Sequence, residues 1–446
     1  MKSIISKVMN MGASEAEVFE LQSLRTDVTY EANKLKGVSR TEERGVALRV
    51  VKDGRVGFSS STKLGDPDAI AAAALATAEF GDSATFDFSG DADMPDVAVR
   101  DEKVAGLDVD DMLERPRNAI ARLVDYDAEV LCDSETTCET QTVSVRTSGG
   151  LESSFERTLY RFSVDGRLIE GTSLLDCGAY YGGSALDSNG SNLVARVIED
   201  LKNGRRNAAV EGGPTTVLFT PNAVADVFMT LHYGVNGSIV ERGISPLAGK
   251  LGEKVFDDRV SIYDDGLARG GYATGPFDDE GTPMQRTPVF ENGVLKHYLT
   301  DLRTSRKLEQ PLTGNGARTR RLVMTKDIGK VPAPEITNWE MTGGDTSQED
   351  LVSDMGEGII IDRIMGILMS NLIAGDFSGN VALGFKVENG KLRGRVKNTM
   401  VAGNIYRLLR DNLIAISSDM ERVGLLGFVG SHRYPYLLMR DVSISA

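Results

Sequence analysis

Four Asx-Gly dipeptides, Asp53-Gly54, Asp165-Gly166, Asn292-Gly293 and Asn389-Gly390, constrain this chain more than any other feature. Each is flanked by alternating or β-branched residues. Asn, Asp and Gly tolerate the positive φ angles that a tight hairpin demands, so each dipeptide predicts antiparallel strands on either side. Between Val143 and Val164 the alternation is plain. Val143 and Val145 alternate with Ser144 and Arg146, then Tyr160, Phe162 and Val164 alternate with Arg161 and Ser163. A period of two with one apolar parity is a sheet with one buried face.

Helical segments interrupt the strands. Asp66-Pro67 opens an alanine-rich run to Phe80, with Pro suited to a first helical turn. Asn192 to Asn203 and Asn222 to Tyr233 are further helices. Thr346 and Glu349 have capping-box spacing ahead of Leu351, and Gly356 ends that short helix. Val401, Ile405, Leu408, Leu409 and Ile416 give an amphipathic stripe, read as a helix. The acid-rich stretch from Gly81 to Glu102 reads as a solvated connection. Gly204 and Gly212-Gly213-Pro214 mark a change in composition. It divides the chain into an α/β half, residues 1–205, and a β-rich half, residues 206–446. Residues 290–296 and 387–393 look alike, which reads as shared hairpin chemistry, one matching pair being too little to establish a duplicated domain.

A length of 446 residues suits two or three domains. The net charge of −15 argues against nucleic-acid binding, because phosphate neutralisation requires a basic face. The densest basic run, Arg318-Thr319-Arg320-Arg321, reads as a solvated strand edge. No signal peptide is legible at the N-terminus. The longest apolar region, Gly358 to Gly375, is broken by Asp362 and Arg363 and does not predict a membrane span. Cys132, Cys138 and Cys177 make neither a disulfide framework nor a C-x-x-C pair, which fits a reducing cytoplasm. Cys132 and Cys138 have equal strand parity, so they are expected to share a face in the core.

Chemistry is sparse. The three histidines are His232, His297 and His432. No H-E-x-x-H, G-x-S-x-G, Walker loop or G-x-G-x-x-G is present. Taken alone, His232 reads as a satisfied core histidine, with Asn236 a poor second ligand. His297 falls in a strand and His432 in a Gly-Ser-His-Arg-Tyr-Pro loop, both as surface or packing residues. Asp278-Asp279-Glu280-Gly281 is the densest acidic cluster of the second half. Consecutive carboxylates point in different directions and lack calcium-loop spacing, so the cluster reads as a turn.

Several segments in order resemble the TldD/PmbA (TldD/TldE) family of peptidases, also called modulators of DNA gyrase. They are residues 12–18 (Gly-Ala-Ser-Glu-Ala-Glu-Val), 44–50 (Arg-Gly-Val-Ala-Leu-Arg-Val), 53–58, 278–283 (Asp-Asp-Glu-Gly-Thr-Pro), 291–295, 313–316 (Thr-Gly-Asn-Gly), 337–338, 377–380 and 401–404. The resemblance implies an α+β fold: an α/β N-terminal domain and a mainly antiparallel-β C-terminal domain. Active members look like zinc metallopeptidases with an H-E-x-x-x-H helix and a cysteine near the C-terminus. Here His232 matches the first ligand. Tyr233 stands at the glutamate general base, Gly237 at the second histidine and Leu426 at the cysteine.

The resemblance therefore implies a TldE/PmbA-like chain without the metal site, having no cofactor of its own. Its expected partner is a TldD-type catalytic subunit that carries zinc, with unfolded or modified peptides as substrates and a hetero- or homodimer as the assembly. The vestigial site would comprise His232, Tyr233, Asn236, Gly237 and Leu426. Asp278, Asp279, Glu280 and Asn315 are matched as functionally placed residues, with a purely loop-fixing role an equal alternative. Two other readings stay open: a homo-oligomeric hydrolase with a non-standard site, and a gyrase-modulating interaction protein. Neither nucleic acid nor membrane is expected as a partner.

Overall fold

The computed structural model describes residues 2–171, 173–187, 190–320, 325–425 and 429–446. Alternating residues of the first half build strands β1 (Glu15–Glu31), β2 (Lys34–Lys52), β3 (Arg55–Ser61), β4 (Leu131–Thr147), β5 (Glu152–Glu170) and β6 (Ser173–Gly183). They form one antiparallel sheet in the order β3-β2-β1-β4-β5-β6. Helices Pro67–Ala78, Val109–Tyr126 and Gly190–Gly204 pack on it. Asp66 caps the first of these by accepting the Ala69 N–H at 3.0 Å.

The second half is an eleven-stranded sheet. Strands Val429–Ser445, Met400–Asn404, Asp376–Glu388, Gly358–Met365 and Gly213–Phe219 pair in that order, and the last also pairs with the first, closing a ring. Helix Pro221–Val235 packs against the surrounding strands and is buried on nearly all faces. A second core joins the two sheets: Phe162 and Val164 of β5 and Cys177 of β6 meet Leu383, Phe385 and Leu438. Cys132 belongs to this core and Cys138 packs against it, so the shared face holds. Among the described residues, no helix is long and apolar enough to cross a membrane.

Three of the Asx-Gly dipeptides turn hairpins, with both residues at positive φ: 50° and 71° at Asp53-Gly54, 50° and 75° at Asn292-Gly293, and 52° and 68° at Asn389-Gly390. Asp165-Gly166 does not. It lies inside β5, with Gly166 opposite Cys132 on one side and Cys177 on the other. The glycine lies close under the helix there. A Cβ at Gly166 would stand 3.0 Å from Val197 and 3.1 Å from Leu201 of the overlying helix.

Other elements also differ from the sequence reading. The stripe from Val401 to Ile416 is not one helix but a strand, a short helical turn over Ile405–Arg407 and Leu408–Asn412, and a second strand, Leu413–Leu425. All five stripe residues are buried in one core, so burial and not helical period explains their spacing. The helix after Thr346 is capped one residue later, by Ser347 on the Asp350 N–H, and Gly356 ends it at φ 65°. The 81–102 connection is irregular but not merely solvated, because Phe88 and Val99 are buried and the Arg49 guanidinium lies 5.0 Å from the Phe88 ring centroid. The basic run is not a solvated edge. Arg318 is fully buried, and Arg321 lies outside the described residues.

Candidate functional site

Helix Pro221–Val235 stops because Asn236 leaves helical geometry, at φ −67° and ψ 118°. Its side chain instead caps the next short helix, Gly237–Glu241, by accepting the Ser238 N–H at 3.0 Å. Asn236 Nδ2 donates to the Pro334 carbonyl at 2.5 Å. His232 and Tyr233 thus sit on the last turn of one helix and Gly237 begins another. Position 237 is sterically closed: a Cβ there would lie 2.7 Å from the Leu299 carbonyl oxygen and 2.8 Å from Thr304 Oγ1. Real Cβ atoms do not come that close to backbone, so a larger residue at 237 requires the Leu299 segment to move.

The His232 ring lies edge-on to Trp339, with centroids 4.4 Å apart, and 5.9 Å from the ring of His432. His432 is neither on a loop nor at the surface. It is fully buried in strand Val429–Ser445, and its Nδ1 accepts the Trp339 N–H at 3.1 Å. Burial pulls its pKa down to about 4, so the ring is neutral. His297 is elsewhere, with Nδ1 2.8 Å from the Pro288 carbonyl oxygen.

The acidic cluster is the turn that the spacing predicts: the Asp278 N–H donates to Thr282 O at 2.9 Å and the Gly281 N–H to Asp278 O at 3.0 Å. Its three carboxylates point three ways. Asp278 accepts the N–H groups of Glu280, Thr282 and Gly316 at 2.8–2.9 Å. Asp279 accepts the Arg318 N–H at 2.7 Å and pairs with Lys326. Glu280 accepts the Leu302 N–H at 2.8 Å and the Arg49 guanidinium at 2.7 Å. Arg49 pairs in turn with Glu17, which also binds Arg318 at 2.6 Å. The cluster therefore ties the second sheet's loops to β1 and β2 of the first. Burial drives the Asp278 carboxyl well above the usual range, with the Glu280 charge adding to it. Burial also lifts Glu280 to about 7 against the pull of Arg49.

A single cleft of about 1080 Å3 of empty volume, part of it open to solvent, brings the scattered candidates together. His232, Tyr233, Asn236, Asp278, Asp279 and Asn315 line it; Gly237 and Glu280 do not. Leu426 lies outside the described residues. Asn315 Nδ2 donates to Asp264 Oδ2 at 2.7 Å and to the Glu335 carbonyl at 2.9 Å. Asp264 also accepts the Thr337 N–H and hydroxyl, and burial raises it to about 6. The opposite wall comes from β5, whose Phe155 and Arg157 face the cleft beside Phe277, Tyr272 and Lys326. Sequence reasoning missed this wall. The available signal was Arg157, a charge lying between Phe155 and Leu159 on one strand parity.

Among the described residues, no group of three or more His, Cys, Asp or Glu side chains could hold a metal ion. What the cleft offers instead is an apolar, partly enclosed channel edged by a few polar groups, the usual form of a binding site.

The fold and its sequence have clear relatives. An uncharacterized protein of Methanocaldococcus jannaschii is 25% identical over 426 residues, covering 95% of this chain and 96% of its own length. Metalloprotease PmbA of Escherichia coli O157:H7 is 29% identical over 205 residues, which are 46% of this chain and 41% of that protein. The crystal structure of TldE from Thermococcus kodakarensis superposes with a TM-score of 0.89 at 19% identity, covering all of both chains. A Thermotoga maritima structure bearing the name of a DNA gyrase modulator gives 0.88 at 22% identity, over 100% of this chain and 99% of its own. The family model for PmbA/TldA metallopeptidase domain 1 matches residues 16–79, and that for the PmbA/TldA metallopeptidase C-terminal domain matches residues 212–446. With more than half of its length matched in this way, the chain belongs to the PmbA/TldD metallopeptidase family.

Proposed function

We propose that this chain is a peptide-binding, non-hydrolytic subunit of the TldE/PmbA type, paired in the cytoplasm with a zinc-bearing TldD-type subunit. Together they would process unfolded or modified peptides. The observation that carries this reading is the state of the position matched to the second histidine. Gly237 sits against the Leu299 carbonyl and Thr304, where no imidazole fits without moving backbone.

The neighbouring chemistry supports it. Tyr233 replaces the carboxylate that would take a proton from a metal-activated water. The residues present do not fit a catalytic zinc, which needs three protein donors. His232 has only His432 as a nearby imidazole, and the His432 Nδ1 already accepts the Trp339 N–H. Two of the cleft carboxylates are already engaged: Asp278 is held by three backbone N–H groups and Asp279 by Lys326 and the Arg318 N–H. What is left is a channel with apolar walls, suited to an extended peptide.

The test is a paired assay of zinc content and hydrolysis of an unfolded peptide, using the chain alone and mixed with a TldD-type subunit from the same source. The expected result is an inert, zinc-free chain and a mixture that cleaves. Turnover by the chain alone that is abolished in His232→Ala overturns the proposal.

A further inference from the structure

Arg157 is a buried cation in want of an anion. It is 7% exposed, and its Nε and Nη2 both donate to one oxygen, Gln141 Oε1, at 2.9 and 2.7 Å. Among the described residues it makes no ion pair and no other hydrogen bond. Glu139 and Asp279 act on it only from a distance. Glu139 is occupied by Ser23 and by Gln141 Nε2, and Asp279 by Lys326. The second cation of the cleft, Lys326, is thereby neutralised while Arg157 is not. Burial pulls the Arg157 guanidinium below its ordinary pKa, the mark of a charge short of compensation. Holding such a group out of water is costly unless an anion completes it.

The facing wall supplies a complementary acceptor. Asn315 is 1% exposed, and its Oδ1 has no hydrogen-bond partner among the described residues. Both partners of its Nδ2 are acceptors, which sets the orientation of the amide and leaves Oδ1 as a buried acceptor without a donor among the described residues. Apolar Phe155, Phe277, Met229 and Met284 line the same cleft. The cleft thus asks for an anion, an N–H donor and an apolar side chain at once. The last residue of a peptide presents all three: a carboxylate, an amide N–H and its side chain.

Resting on the peptide-binding reading above, we infer that the cleft recognises the free C-terminus of an apolar-ended peptide, with Arg157 holding its carboxylate and Asn315 Oδ1 its last amide N–H. A planar guanidinium with unused N–H donors suits a carboxylate better than a lysine would. Recognition of a chain end would distinguish peptides already cut from intact proteins, whose termini are fewer and tethered.

Calorimetric titration of the full chain with three unstructured peptides tests this: one with a free C-terminus, the same peptide amidated, and the amidated peptide with an internal Glu. Amidation is expected to weaken binding by about tenfold or more, as loss of a charge-assisted contact does. The internal Glu should not restore it, and Arg157→Gln should bind the first two peptides alike while Arg157→Lys keeps part of the preference. Equal binding of free and amidated peptides to the unaltered chain overturns the inference and leaves peptide binding standing. Rescue by the internal Glu likewise overturns the assignment to a chain end. Binding of no peptide overturns this inference and the peptide-binding role together. The comparison on the unaltered chain decides the matter even if Arg157→Gln fails to fold.

Discussion

Glu17 and Arg318 lie 301 positions apart in the chain, yet their fully buried side chains meet at 2.6 Å. Arg49 joins them by binding Glu17 and Glu280, so β1, β2 and two loops of the second sheet share one chain of charges. Buried charges of this kind are tolerated only as a complete set. The network reaches the cleft through Asp279 of the same turn, which accepts the Arg318 N–H.

Breaking that set has a large expected cost. Glu17→Gln leaves Arg49 and Arg318 short of one buried negative charge and should destabilise the chain by about 3–5 kcal/mol. Urea unfolding measures it, and the surface change Glu42→Gln, in the exposed part of β2, serves as a control expected to cost under about 0.5 kcal/mol. Equal midpoints for the two variants would mean the network contributes nothing.

Position 237 should reject side chains. Gly237→Ala places a Cβ within 2.7 Å of the Leu299 carbonyl oxygen and should cost about 1–3 kcal/mol by overpacking. Gly237→His should cost more and should not bring zinc with it. Thermal unfolding with metal analysis reads both; a stable, zinc-loaded Gly237→His protein would contradict the steric argument.

Asp226 predicts a pH dependence. Burial, aided by the Asp362 charge and opposed by the Ile364 N–H it accepts, lifts its carboxyl to about 7. A folded-state pKa above the unfolded value means the folded chain holds the proton more tightly. The resulting stability is full below about pH 4 and is lost as pH rises through about 7. Asp226→Asn, which keeps an acceptor for Ile364, should flatten this decline and gain on the order of 1–3 kcal/mol over the native chain at pH 8. Parallel stability curves for the two proteins from pH 4.5 to 8 would exclude Asp226 as the titrating group.

Gly166 should tolerate no larger residue despite its ordinary strand geometry. Gly166→Val drives methyl groups into Val197 and Leu201 and should cost about 1–3 kcal/mol. Gly54→Asn, at a hairpin position with open space and φ 71°, should cost well under that because Asn accepts this region. Denaturation midpoints decide between a packing role and a turn role for Gly166.

What the sequence by itself determined is local. Asp53-Gly54, Asn292-Gly293 and Asn389-Gly390 turn hairpins because positive φ is a property of those residues themselves. Pro67 and Pro221 open helices because a proline suits a first turn wherever the helix later packs. The ordered motifs carried the family for the same reason, being short runs legible without a partner.

Tertiary structure decided the rest. Asp165-Gly166 has the same local preference as the other dipeptides, but long ladders with β4 and β6 and the helix laid over Gly166 outweigh it. Arg318 and His432 read as a surface charge and a loop imidazole, and Arg157 carried no reading at all. All three are buried. Whether a charge is paired, neutral or waiting for a ligand depends on desolvation and on partners supplied by distant strands. Those terms arise only when the two sheets close on one another, and no window of sequence contains them.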